Sequence, residues 1–168
     1  MAETKEQLYQ LCVQYVQDNI RGIEAAIAES REATRNETKS SMGDKYETAR
    51  EMLQQDINMN MERLQKAKAE QLVLQQINRK QKETTERSEL TEANKKDIQN
   101  EVTVTNGSLV QTNNGAFYIG ISAGKLTVNK ETYYAISVSS PIGTQLKGKQ
   151  SGDMFTLNGK QYKIENIS

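Results

Sequence analysis

The sequence predicts an α+β protein: an antiparallel coiled-coil hairpin followed by a small, antiparallel-rich β domain with one short helix. Three observations carry that expectation. Eight of the ten glycines and the only proline lie between Gly107 and Gly159, so residues that break regular helix are confined to the second part of the chain. Ahead of them, apolar residues recur at three-and-four spacing. Beyond Val102 the period falls to two.

The first helix is marked by Tyr9, Cys12, Val16, Ile20, Ile23 and Ile27, continued by the smaller Ser30 and Thr34. The second begins at Tyr46 and runs through Ala49, Leu53, Ile57, Met61, Leu64 and Ala67 towards Leu74. Each apolar stripe is narrow and flanked by Gln, Glu, Lys and Arg, which calls for a partner helix more than for a globular core. The polar segment 36–43, NETKSSMG, reads as the turn between two arms of about 30 residues, each on the order of 45 Å long. The stretch 78–100 has little apolar content beyond Leu90, Ala93 and Ile98. It reads either as an extension of the second helix or as a charged linker, and the linker is preferred after Gln81. The expected boundaries are therefore 1–81 for the hairpin with its tip near 36–47, 82–101 for the linker, and 102–168 for the β domain.

In that domain, alternating runs are expected at 102–105, 108–112, 116–121, 126–128 and 132–138. Turn signals separate them at Asn106-Gly107, Asn113-Asn114-Gly115, Ala123-Gly124 and Asn129-Lys130. Ser140 then supplies an N-cap, Pro141 an N1 residue whose missing N–H costs nothing, and Gly148 a helix stop. Two further runs, 154–157 and 161–164, flank Asn158-Gly159, a strong hairpin signal.

Composition excludes several classes of function. The formal charge is zero and the isoelectric point is about 6.4, so no global field draws the chain to nucleic acid or to an anionic membrane. There is no histidine, which rules out a Ser-His-Asp site, a Cys-His site and a His-ligated metal. No phosphate-binding glycine loop is present. An enzyme with its own complete active site is not expected. Cys12 is the only cysteine, so no disulfide framework is possible within the chain. No apolar run approaches a membrane span or a signal segment. A cytoplasmic, monomeric protein without membrane contact is expected.

The string I-S-V-S-S-P-I-G at 136–143 is followed by L-x-G-K at 146–149, Gly152-Asp153 and Tyr162-x-Ile164. It resembles the C-terminal domain of the Gre transcript-cleavage factors, bacterial proteins that act on stalled RNA polymerase. The resemblance is specific over about a fifth of the chain and looser from Val102 onward. It implies an FKBP-like C-terminal domain that docks on RNA polymerase through the segment Ser139, Ser140, Pro141 and Ile142, and a coiled coil that reaches into the polymerase's nucleotide channel. Gly43-Asp44-Lys45-Tyr46-Glu47 is similar to the Gly-Asp-x-x-Glu of the family's coiled-coil tip. By that likeness Asp44 and Glu47 assist catalysis by helping the polymerase hold a second Mg²⁺ and its attacking water near the RNA 3′ end. Carboxylates suit that role, because Mg²⁺ is a hard cation that prefers oxygen. The protein alone would hold no metal.

Two readings of the tip stay open. Asp44 with Glu47 three residues on is also an ordinary helix start, an N-cap with its capping-box partner. The family also separates its acids from a following Ala-Arg-Glu by more residues, whereas here only Thr48 stands between Glu47 and Ala49-Arg50-Glu51. Either the acids correspond and the arm is shortened, or the arm corresponds and the acids are coincidental. Arg63, Lys66 and Lys68, with Arg79, Lys80 and Lys82 beyond, are either the counterpart of the family's RNA-contacting basic face or a solvated face with local ion pairs. The functional expectation is a Gre-type elongation factor. The alternatives are a non-cleaving Gre-fold regulator, a polymerase-independent coiled-coil adaptor and, more remotely, a prolyl isomerase, for which aromatic pocket residues are few.

Overall fold

A computed structural model describes the backbone of residues 2–37, 44–90 and 102–168, and the side chains of 3–35, 47–83 and 102–168. Two long helices, α1 (Ala2–Glu37) and α2 (Asp44–Leu90), are followed by six strands and one short helix. The strands are β1 (Leu109–Thr112), β2 (Gly115–Gly120), β3 (Gly124–Val128), β4 (Glu131–Ser137), β5 (Met154–Leu157) and β6 (Lys160–Ile167), with α3 (Pro141–Leu146) between β4 and β5. The sheet order is β3-β4-β2-β1-β6-β5. Every neighbouring pair is antiparallel except β2 and β4, which run parallel. The architecture is α+β, as the periodicities require.

The expected linker differs from what forms. Helix α2 continues to Leu90, past Gln81, because 78–90 contains no glycine or proline to stop it and charged residues are good helix formers. Residues 91–101 lie outside the described residues. The segment at 102–105 is not a ladder strand, although Val104 is buried and its N–H and carbonyl pair with the backbone of Lys149 and Gly148.

Contacts divide the chain into two compact units, Met1–Val13 with Leu72–Ser168, and Gln14–Gln71. The division runs through both long helices, so the base of the hairpin groups with the sheet. In the second unit, α1 contributes buried Val16 and Ile27 and α2 contributes Ile57 and Ala67. Lys68 reaches Glu24 across the pair at 3.8 Å. The seam on α2 follows 53, 57, 60, 64 and 67, so Asn60 is half-buried and Met61 is 44% exposed. Met61 was expected in the seam. The heptad spacing of three and four places Asn60 there instead, one step of about 100° away.

In the first unit both faces of the sheet carry buried side chains. Val110, Phe117, Ile119, Ile164 and Ile167 form one face and pack with Leu146 of α3 and with Val104. The other face carries Leu109 and Tyr118, which are direct cross-strand partners. It meets the base of the hairpin, where Leu8, Cys12, Leu74 and Ile77 are buried. Two glycines permit that approach. A Cβ at Gly107 would come 2.9 Å from Cγ2 of Ile77, and one at Gly120 would come 3.4 Å from both Ile77 Cδ1 and Tyr118 Cε1. Burial raises the Tyr9 phenol above its ordinary value, and the Asn78 side chain partly offsets that.

Candidate functional site

The α3 corner is fixed by its own sequence. Ser140 is the extended N-cap residue, and its Oγ accepts from the Gly143 N–H at 3.1 Å while donating to the Ser137 carbonyl at 2.7 Å. Pro141 occupies the first turn, where an N–H would be unpaired. Gly143 is buried, and a Cβ there would fall on the Ser137 carbonyl oxygen. The Ser-Pro-Ile-Gly run is therefore a steric unit: the serine holds the carbonyl of Ser137 inward, and only glycine leaves it room. Gly148, at φ 76°, ends the corner.

Of the four residues expected to dock a partner, two are committed internally. Ser140 caps the helix, and Ile142 is half-buried against the main core. Ser139 and Pro141 are exposed, with the Ser139 hydroxyl 2.9 Å from that of Ser137. The corner thus presents a small polar and apolar tip on a rigid base.

The hairpin tip lies mostly outside the described residues. The α2 backbone starts at Asp44, at the expected place, and Glu47 is exposed in its first turn. Nothing is described of 38–43 or of the Asp44 side chain. Among the described residues no group of three or more His, Cys, Asp or Glu side chains is placed to hold a metal ion, and no helix is long and apolar enough to cross a membrane.

The basic residues of α2 do not assemble into one face. At about 100° per residue, Lys66 and Lys68 point to nearly opposite sides of the helix. Lys68 engages Glu24. Lys66 stands one turn before Glu70, whose carboxyl burial raises and Lys66 partly lowers. Arg79 pairs with Glu83 at 3.0 Å. Ion pairs thus engage Lys68 and Arg79, one across the helix pair and one within α2, while Arg63 is exposed.

Cys12 is fully buried and burial pushes its thiol up to about 12, so it is a core residue with no nucleophilic character. Tyr118 is also fully buried; its pKa is raised, chiefly by burial, and its hydroxyl has no hydrogen-bond partner among the described residues.

An aromatic row across the sheet was not foreseen. Phe117 lies 5.9 Å from Tyr134 and 6.3 Å from Tyr162, and Tyr162 stacks on Phe155 at 4.9 Å with ring planes 4° apart. The four residues come from β2, β4, β5 and β6. Only strand register assembles them, and no local spacing in the sequence points to the group.

No protein-family model, curated protein or solved structure matches this chain.

Proposed function

We propose that this protein is an accessory factor of bacterial RNA polymerase of the Gre type. Its β domain would dock on the polymerase through the α3 corner, and its coiled coil would enter the nucleotide channel. The observation that supports this reading most is a conjunction within one chain. A helical hairpin whose second helix opens on Gly-Asp-x-x-Glu precedes a sheet domain whose short helix is opened by Ser-Ser-Pro-Ile-Gly. In this reading Asp44 and Glu47 supply oxygen ligands to a Mg²⁺ that the polymerase itself holds, and hydrolysis of the backtracked transcript takes place at the polymerase's centre. The exposure of Glu47 in the first turn of α2 favours that role over an internal structural one.

The test adds the full chain to backtracked elongation complexes and follows release of short 3′ RNA fragments. Faster, Mg²⁺-dependent release is expected. Asp44→Asn should abolish the acceleration and Glu47→Gln should weaken it, with polymerase binding retained. Both substitutions preserve helix-start hydrogen bonding, so a loss would report metal chemistry. Binding without acceleration would instead assign the protein to a non-cleaving occupant of the channel. Absence of binding would replace both with a polymerase-independent adaptor.

A further inference from the structure

The sheet face that carries α3 is not wholly covered by it. Strand register places Lys125, Tyr134 and Phe117 side by side on β3, β4 and β2, and Tyr162 and Phe155 as partners on β6 and β5, with Lys160 two residues before Tyr162 on the same face. Tyr134 is 42% exposed and Tyr162 half-buried, whereas Phe117 beneath them is only 7% exposed. A Cβ at Gly115 would stand in ordinary contact with the Tyr134 ring at 3.8 Å, so the ring lies over β2. Both tyrosine rings thus rest on a Phe117 floor, within about 12 Å of each other by the two centroid distances, with an exposed lysine at either end.

The charge on this surface has one sign. Residues 102–168 contain six lysines against three carboxylates, Glu131, Asp153 and Glu165, although the whole chain is neutral. Glu131 and Glu165 alternate onto the opposite face from Tyr134 and Tyr162. Asp153 turns back to accept from the Gln150 N–H at 2.8 Å. Among the described residues no strand carboxylate shares the row.

We infer that this row is a binding surface for single-stranded nucleic acid, with bases stacking on Tyr134 and Tyr162 and phosphates meeting Lys125 and Lys160. Every base offers a π face and every linkage a negative charge, so exposed aromatic rings between lysines fit such a strand without reading its sequence. An RNA strand is the natural ligand if the protein works on a transcribing polymerase, yet the surface needs no polymerase to bind, so its test is independent of that reading.

Fluorescence anisotropy of a labelled, mixed-sequence single-stranded RNA, titrated with the full chain at low salt, is the measurement. Saturable binding that weakens with salt is expected. Tyr134→Leu keeps apolar cover over Gly115 but removes the flat ring, and should weaken binding roughly 5- to 150-fold, the range for loss of one stacked base. Tyr134→Phe should bind like the parent protein. Lys125→Gln should weaken binding to all sequences alike and reduce the salt slope by about one unit. A circular dichroism melt establishes that each variant is folded. No binding, or binding indifferent to both Tyr134→Leu and Lys125→Gln, would overturn the inference. So would preferential capture of polyglutamate over RNA, which would give the face to an acidic protein partner.

Discussion

The two compact units bury their side chains in different ways. Between Gln14 and Gln71 the fully buried apolar residues among those described are Val16, Ile27, Ile57 and Ala67, on two helices with polar flanks. Around the sheet, Tyr118, Ile119, Ile121, Leu146, Ile164, Val104 and Val110 are all at or below 1% exposure, and both faces carry buried side chains. Among the described residues the helical pair buries a single seam, so each seam residue is held by neighbours on one side. In the sheet unit a central strand is packed above and below and paired at its edges. Global cooperativity should therefore reside in the sheet with the hairpin base, and the Gln14–Gln71 pair should open locally at lower free energy.

The largest effect expected is at Gly143. Alanine there cannot avoid the Ser137 carbonyl, and moving that carbonyl breaks the Ser140 cap and lifts α3 from the core. We expect a loss of about 3 kcal/mol in denaturant unfolding, which would set the sheet unit's stability directly against that of the helical pair. A loss under about 1 kcal/mol would show that the corner tolerates displacement.

Next is the contrast of Ile77→Ala with Ile57→Ala. Both remove the same atoms. Ile77, 1% exposed, sits between α2 and the sheet against Gly107 and Gly120, while Ile57, 6% exposed, lies in the single seam. Ile77→Ala should cost about 2–3 kcal/mol of global stability. Ile57→Ala should cost less globally and instead accelerate amide hydrogen exchange through 14–71. Equal global losses would mean that the two units unfold as one.

How much of this was legible in the sequence depends on the kind of signal. The sheet's turns were marked by residues that left-handed backbone requires: Asn158 and Gly159 have φ of 49° and 75°, and Asn129 and Lys130 have 52° and 68°. The α3 corner was read from its cap, its proline and its stop. Periodicity found the helices but misplaced one seam residue, because Met61 is more apolar than Asn60 and composition outweighed strict heptad spacing. Ile77 was missed because it packs on Gly107 and Gly120 of the sheet unit, one step off the α2 stripe that a partner helix would select. The aromatic row is a product of sheet order. The candidate acids remain a sequence reading with only the helix start and the exposure of Glu47 beside them.

A more gradual effect, spread over several pH units, should appear at high pH. Cys12 has its thiol raised by burial from 9.0 to about 12 in the folded chain. The unfolded chain loses that proton first, so the contribution of this group to stability is fully present below about 9, declines as pH rises between about 9 and about 12, and is gone above that. The slope from this one group is about 1.4 kcal/mol per pH unit. Tyr118, also raised by burial, acts in the same direction at higher pH. Cys12→Ala should flatten the first part of the decline relative to the parent protein in denaturant titrations at stepped pH. An unchanged slope would place the alkaline sensitivity elsewhere than at the hairpin base.

The smallest effect, and the one with the most telling sign, concerns two tyrosines on the same sheet face. The Tyr133 hydroxyl donates to Glu131 Oε2 at 2.7 Å, whereas the Tyr118 hydroxyl, where the sheet meets the hairpin base, has no partner among the described residues. A buried hydroxyl without a partner forfeits its hydration, a cost of about 1–3 kcal/mol, while a satisfied one contributes about 1 kcal/mol. Tyr118→Phe keeps the ring against Gly120 and removes only the orphan oxygen, so it should leave stability unchanged or raise it by up to about 1 kcal/mol. Tyr133→Phe should lower stability by about 0.5–1 kcal/mol. Opposite signs from the same chemical change would locate the cost at the sheet's contact with the hairpin base. If Tyr118→Phe instead destabilises by more than about 1 kcal/mol, its hydroxyl bonds to a buried water or to a bound group, and the interface is a polar site and not a dry one.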